Sequence, residues 1–274
     1  MASTRIHPVR DLITFYVVVY ALSWIVWGTA ILQDRDALSF HIPGALAFWS
    51  LTIGVPLVAL ATGGVSALAD LASRVVRWRV SVQWYLIGIA FPIVLAMVSS
   101  ALAAAFGSTI ELGGTLSLGS AVGYFIFGIF LFTLTEETAW RGYALPRLQH
   151  SMDALPASVI VGVLWGLWHL PLWFIADTDQ TSWNFFAFVV LTIAESVLIG
   201  WFFNHTRGSV LLAGIFHAAS DAALAYSGVL YSDARAFWVA VLVFAVAAVT
   251  LVVVDGSKAL RRGGLPPEAI YPTG

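Results

Sequence analysis

The chain has 274 residues, 60% of them hydrophobic and only 10% charged, with a mean hydropathy of +0.90 and a net charge of −2. Soluble domains sit nearer half apolar, so a water-soluble globule is excluded. The absence of cysteine excludes disulfides, iron–sulfur clusters, thiolate metal sites and a cysteine nucleophile.

Apolar runs of about 20 residues are long enough to cross a bilayer. They predict eight spans, at 11–32, 44–69, 83–106, 120–147, 155–176, 183–204, 208–228 and 236–254. The expected class is therefore all-α: a polytopic membrane helical bundle forming a single membrane domain over residues 1–274. The first run is too long for the core of a cleavable signal, and more spans follow it, so it reads as a span. With the first residue inside, the inner segments hold Arg5, Arg10, Arg74, Arg77, Arg79, Arg141, Arg147, Arg207, Lys258, Arg261 and Arg262, eleven of the 13 Lys and Arg. The outer segments hold only Arg35 and Arg235, beside Asp34, Asp36, Glu111, Asp177, Asp179 and Asp233. That asymmetry predicts an even number of spans with both termini cytoplasmic. The basic residues are spread through the inner loops, so no nucleic-acid patch forms and the expected surroundings are lipid. Segment 74–84, with three arginines and two tryptophans, reads as a short interfacial anchor or as an ordinary basic and aromatic edge. No internal repeat is visible, and the glycine–proline stretch at 263–267 is expected to be disordered.

Six ionisable side chains interrupt the apolar runs: Glu136, Glu137, Arg141, His169, His217 and Asp221. Each costs roughly 2.5–3.5 kcal/mol to insert, so each reads by default as functional. The fourth span closes on Glu-Glu-Thr-Ala-Trp-Arg at 136–141. On a helix Glu137 and Arg141 share a face, which gives Glu137 a structural role. Glu136 points about 100° away, toward Trp140 and Tyr143, and a desolvated carboxylate without a partner suits a general base. In the fifth span Pro171 removes a helix hydrogen bond and predicts a kink beside His169. In the seventh, His217 and Asp221 lie four apart, so Asp221 can fix the imidazole tautomer or join it in presenting donors to a carbonyl. Glu195, within the sixth span, reads as support for a histidine or as a partner for Ser or Trp. His205 reads as interfacial. Counted at 1.5 Å per residue from the inner span ends, Glu136, His169 and His217 lie roughly 16, 21 and 14 Å deep, which predicts one layer with a site opening toward the cytoplasmic half.

These blocks, in this order, resemble the CPBP family of membrane proteins (CAAX proteases and bacteriocin-processing enzymes, also called the Abi family). The pattern is two glutamates with an arginine four after the second, an aromatic residue four before a histidine, and a histidine four before Asn or Asp. It falls on Glu136, Glu137 and Arg141, on Trp165 and His169, and on His217 and Asp221, within a motif-bearing core at about 120–225. Trp165 stands where Phe is usual, and Asp221 where CAAX-processing members carry Asn. The resemblance implies an intramembrane endopeptidase acting on a membrane-associated peptide or protein, in some members a prenylated one. Glu136 and His169 would activate water, His217 with Asp221 would stabilise the oxyanion, and Glu137, Arg141 and Trp165 would support them. Members are described both as metalloproteases and as metal-independent glutamate proteases. The residues do not decide between the two: Glu136, His169 and His217 would supply a two-His-one-carboxylate set for a divalent metal such as zinc, although no His-Glu-x-x-His helix is present. The rival classes are a non-proteolytic immunity or regulatory protein on the same fold, and a proton-coupled transporter using buried acids and histidines as a relay.

Overall fold

The structure is a computed structural model that describes residues 8–40, 42–114 and 116–261. Arg5, Arg262 and the 263–267 stretch lie outside the described residues. Eight segments in it are long and apolar enough to cross a membrane. They are α1 (Pro8–Asp34), α2 (Leu46–Val75), α3 (Val82–Ala105), α4 (Leu118–Leu134) continued through a π-helix (Thr138–Ala144) and α5 (Leu145–Gln149), α6 (Ala154–Trp168) continued by a 3-10 turn (Leu170–Phe174), α7 (Phe185–His205), α8 (Val210–Ser227) and α9 (Ala234–Asp255). Among the described residues all regular structure is helical. Large apolar side chains such as Ile53, Leu86, Leu242 and Val253 are at least 60% exposed. In water so extensive a greasy surface would drive aggregation, whereas against lipid it is the expected exterior. The protein is a multi-pass membrane protein.

Hydrogen bonds between connections sort into two end faces. On the first, Arg77 donates to the Arg207 carbonyl, Ser209 to the Arg77 carbonyl, and Ala154 and Leu155 to the carbonyls of Lys258 and Ser257. On the second, Ala176 donates to Asp34, Gly113 to the Tyr226 carbonyl, Ser232 to the Thr109 carbonyl and Tyr231 to Asp179. The first face carries loops 76–81, 150–153 and 206–209; the second carries 35–45, 106–117, 175–184 and 228–233. Side-chain oxygens of Ser117, Asn184, Ser209 and Asp233 cap α4, α7, α8 and α9, satisfying otherwise unpaired N–H groups. Gly228, at φ 73°, ends α8 in the left-handed conformation that glycine adopts at least cost.

α8 is the most enclosed span, with 78% of its apolar window buried, and it lies against α3 and α4. Its approach to α4 depends on small residues. A Cβ added at Gly214 would stand 3.0 Å from Thr133 Cβ. α6 lies equally close on α7, where a Cβ at Gly162 would meet the Ile193 Cα at 2.6 Å. In a bilayer, where no solvent-driven force presses helices together, such close approach supplies the packing energy. α2 runs six residues beyond the expected end at 69 because Asp70 and Arg74, which break the apolar pattern, pair at 3.0 Å one turn apart. Segment 74–84 forms no separate interfacial helix: it is the end of α2, the 76–81 connection and the start of α3, with Trp78 exposed and Arg74 buried.

Candidate active site

The fourth span departs from α-helical geometry where its two glutamates sit. Thr135 has φ −106° and ψ −91°, and the following turns are π-helical. Such insertions concentrate at functional sites because they re-aim side chains. Here the two carboxylates separate onto different partners. Glu137 accepts from Arg141 Nη1 at 2.8 Å, as its spacing predicts, and from His217 Nδ1 at 2.8 Å, which the spacing could not. Glu136 does not face Trp140 and Tyr143, as an ideal helix would have it. Those rings pack on Phe15 and Tyr16 of α1, and Glu136 Oε2 instead accepts the Trp165 indole N–H at 2.5 Å.

The fifth span ends its α-helix at Trp168, with His169 as the cap, and continues as a 3-10 turn through Pro171. Leu172 N bonds to the His169 carbonyl instead of the Trp168 carbonyl one residue earlier. The stranded Trp168 carbonyl is taken by Trp24 Nε1 at 2.9 Å, and the Leu164 carbonyl by the Tyr20 hydroxyl. α1 therefore satisfies the end of α6 and holds His169 in place. The His169 ring is anchored by Nδ1, 2.9 Å from the Trp165 carbonyl. A carbonyl can only accept, so Nδ1 carries the proton and Nε2 is left bare. That Nε2 lies 3.9 Å from Glu136 Oε2. The gap is too long for a direct hydrogen bond and suits one bridging water.

His217 repeats the arrangement from α8. Its Nδ1 donates to Glu137, and its Nε2 lies 3.8 Å from Asp221 Oδ1. The partner that sets this tautomer is thus Glu137, not Asp221. Phe132 stacks on the imidazole with ring centroids 4.0 Å apart and planes 7° apart. The Trp165 ring lies at the centre, 5.1 Å from His217, 6.2 Å from His169 and 4.9 Å from the Arg141 guanidinium. Glu136, Glu137, Arg141, Trp165, His169 and His217 are all buried. Glu195 joins them from α7, accepting a hydrogen bond from the Ser220 hydroxyl. His205 lies apart on the first face, 3.4 Å from Asp255.

Glu136, Trp165, His169, Glu195, His217 and Asp221 line a cavity of about 560 Å³. Tyr124 and Phe132 of α4 also wall it, and the Tyr124 hydroxyl reaches Asp221 Oδ2 at 3.5 Å. No motif marked these two residues. Phe132 lies one turn before Glu136 and Tyr124 lies two turns before Phe132 on the same stripe of α4, a weak periodic signal among so many apolar side chains. Among the described residues no three His, Asp or Glu side chains come together as a metal-holding group. Glu136 Oε2 is engaged by an indole N–H, and His217 Nε2 lies 3.8 Å from Asp221 Oδ1.

The cavity runs toward the second face. Its remaining walls include Leu116, Asp179, Gln180, Trp183, Leu230 and Tyr231, all on the second face's connections. Toward the first face, residues 135–149 are buried without exception. Large side chains such as Phe202, Phe203 and Phe216, on the first-face ends of α7 and α8, are fully buried. At the mouth the Tyr231 phenol is pushed above its ordinary value by burial and by the Asp179 carboxylate to which it donates.

Fold and site together define a multi-pass membrane protein whose central helices enclose an acid–imidazole cavity. Residues 118–223 match the family described as type II CAAX prenyl endopeptidase Rce1-like. The chain is also 30% identical over 141 residues to CAAX prenyl protease 2 of Methanococcus maripaludis, a match covering 46% of this chain and 52% of that protein. The aligned part spans about half the length of that curated relative. These matches bear out the kinship with the CPBP family read from the motifs, and they fall on the stretch that builds the cavity.

Proposed function

We propose that this chain is an intramembrane endopeptidase of the type II CAAX protease kind, hydrolysing a peptide bond in a membrane-associated substrate. The observation that carries this reading is the pairing of Glu136 Oε2 with His169 Nε2 across 3.9 Å on the cavity wall, each side chain held from behind by Trp165. A water between them gives up a proton to Glu136 as its oxygen attacks the scissile carbonyl carbon, and His169 Nε2 orients it. The carbonyl oxygen becomes an oxyanion. A protonated His217 offers an Nε2–H to it, and Tyr124 offers a hydroxyl from the same wall. When the C–N bond breaks, the proton held by Glu136 passes to the departing amine. Glu137 and Arg141 act through His217 and keep its ring in register.

The relative's name carries a prenylated substrate to this chain only as part of the proposal; the apolar surroundings suit any lipid-anchored or membrane-threading peptide. No step here is routed through a metal. The test is cleavage of a membrane-tethered peptide by purified protein in lipid, before and after treatment with a strong chelator. The expected result is unchanged cleavage. Loss of cleavage that zinc restores would overturn the metal-free scheme, and no cleavage of any tethered peptide would overturn the peptidase reading.

A further inference from the structure

The cavity opens on one face of the bundle and is closed on the other, which bears on where its substrate comes from. Between the site and the first face run residues 135–149, every one buried, backed by Phe202 and Phe203 of α7 and Phe216 of α8. Between the site and the second face lies the cavity itself, reaching Asp179, Gln180, Leu230 and Tyr231 in the connections. A peptide therefore meets Glu136 and His169 by way of the second face.

The two faces differ in charge. Arg77, Arg79, Arg207, Lys258 and Arg261 belong to the connections of the first face, whereas those of the second hold Arg35 alone among described Lys and Arg, Arg235 following at the start of α9. The second face instead carries Asp36, Glu111, Asp177, Asp179 and Asp233. The first-face arginines are crowded enough that burial, then Arg74 and Arg207, hold the Arg77 guanidinium below its ordinary value. Multi-pass proteins retain such basic connections on the cytoplasmic side during insertion.

From these two observations we infer that the site takes its substrate from the extracytoplasmic side of the membrane, as a translocated chain held at or in the outer leaflet. The inference rests on the peptidase reading for what happens to that chain, but not for where it enters. The cavity walls carry Glu136, Asp179, Glu195 and Asp221 and, among the described residues, neither lysine nor arginine. At the mouth the charged wall residue is the acidic Asp179, so the admitted segment is basic or neutral in preference to acidic.

The native chain contains no cysteine, which makes single-cysteine labelling clean. Ser182→Cys sits on the 175–184 connection and Ser151→Cys on the 150–153 turn, both exposed positions that do not line the cavity. Each variant is treated with a membrane-impermeant maleimide in right-side-out vesicles and again after detergent lysis. Ser182→Cys is expected to react as completely in intact vesicles as after lysis, and Ser151→Cys only after lysis. Reaction of Ser151→Cys in intact vesicles, alone or together with Ser182→Cys, would overturn the inference. Gln180→Cys, on the cavity wall, provides the second measurement: modification of intact vesicles from the Ser182 side is expected, and protection there with reaction from the Ser151 side would equally overturn it. Labelling reads orientation whether or not the protein cleaves anything, so these outcomes are independent of the failure of the peptidase reading.

Discussion

Glu136 and Glu137 are neighbours in the chain with different surroundings, and the difference is structural before it is chemical. Glu137 lies between Arg141 and His217, 2.8 Å from each, with its side chain fully buried. Glu136 meets an indole N–H and a bare imidazole nitrogen at the edge of a cavity. Glu137→Gln removes the charge that Arg141 faces, and breaking one side of a buried pair costs about 3–5 kcal/mol. The expected outcome is a clear fall in melting temperature together with loss of cleavage, read by thermal unfolding in detergent and by peptide cleavage. An unchanged melting temperature would contradict the role given to Glu137. The site residues stood out in the sequence because a charge in an apolar run is costly and therefore conspicuous. The bond from Glu137 to His217 was not legible, since it joins residues 80 positions apart on different helices. Ser220, Tyr124 and Phe132 were equally hidden, being ordinary residues for apolar helices that only the fold turns toward the cavity.

At the scale of elements, two irregular turns aim Glu136 and His169 and two close contacts hold the helices that line the cavity. The π-helix at Thr138–Ala144 and the 3-10 turn at Leu170–Phe174 break helical register beside Glu136 and His169. The α6–α7 contact at Gly162 leaves no room for a side chain. Gly162→Val forces those backbones apart and is expected to destabilise by about 1–3 kcal/mol, the usual range for overpacking. A lower melting temperature with the fold retained checks it; a variant as stable as the native chain would contradict the packing argument. The spans were readable to within about a turn at most ends because hydrophobic length is set by bilayer thickness. The end of α2 was missed because Asp70 and Arg74 hide their polarity in one another. Pro171 signalled the break beside His169, since a missing N–H is visible in a sequence. Nothing comparable announced the π-helix, whose residues are compatible with an ordinary α-helix.

For the whole molecule, the eight spans enclose a polar chamber that is sealed toward the basic end of the bundle and open toward the acidic end. The resemblance, and the motif residues that gather at the chamber, were legible because three motifs keep their spacing along the chain. The direction of the opening was not, because it depends on which half of the interior large side chains happen to fill. All of the chemistry proposed for this chamber passes through one carboxylate. Glu136→Gln preserves its size and an acceptor for the Trp165 indole N–H, but it cannot take a proton from water. The most direct measurement is therefore the cleavage rate of a membrane-tethered peptide by native protein and by Glu136→Gln, compared at matched thermal stability. The expected result is a fall of about 10²–10⁴-fold, the usual contribution of a general base, with no change in melting temperature. A Glu136→Gln protein that cleaves at the native rate would contradict the account.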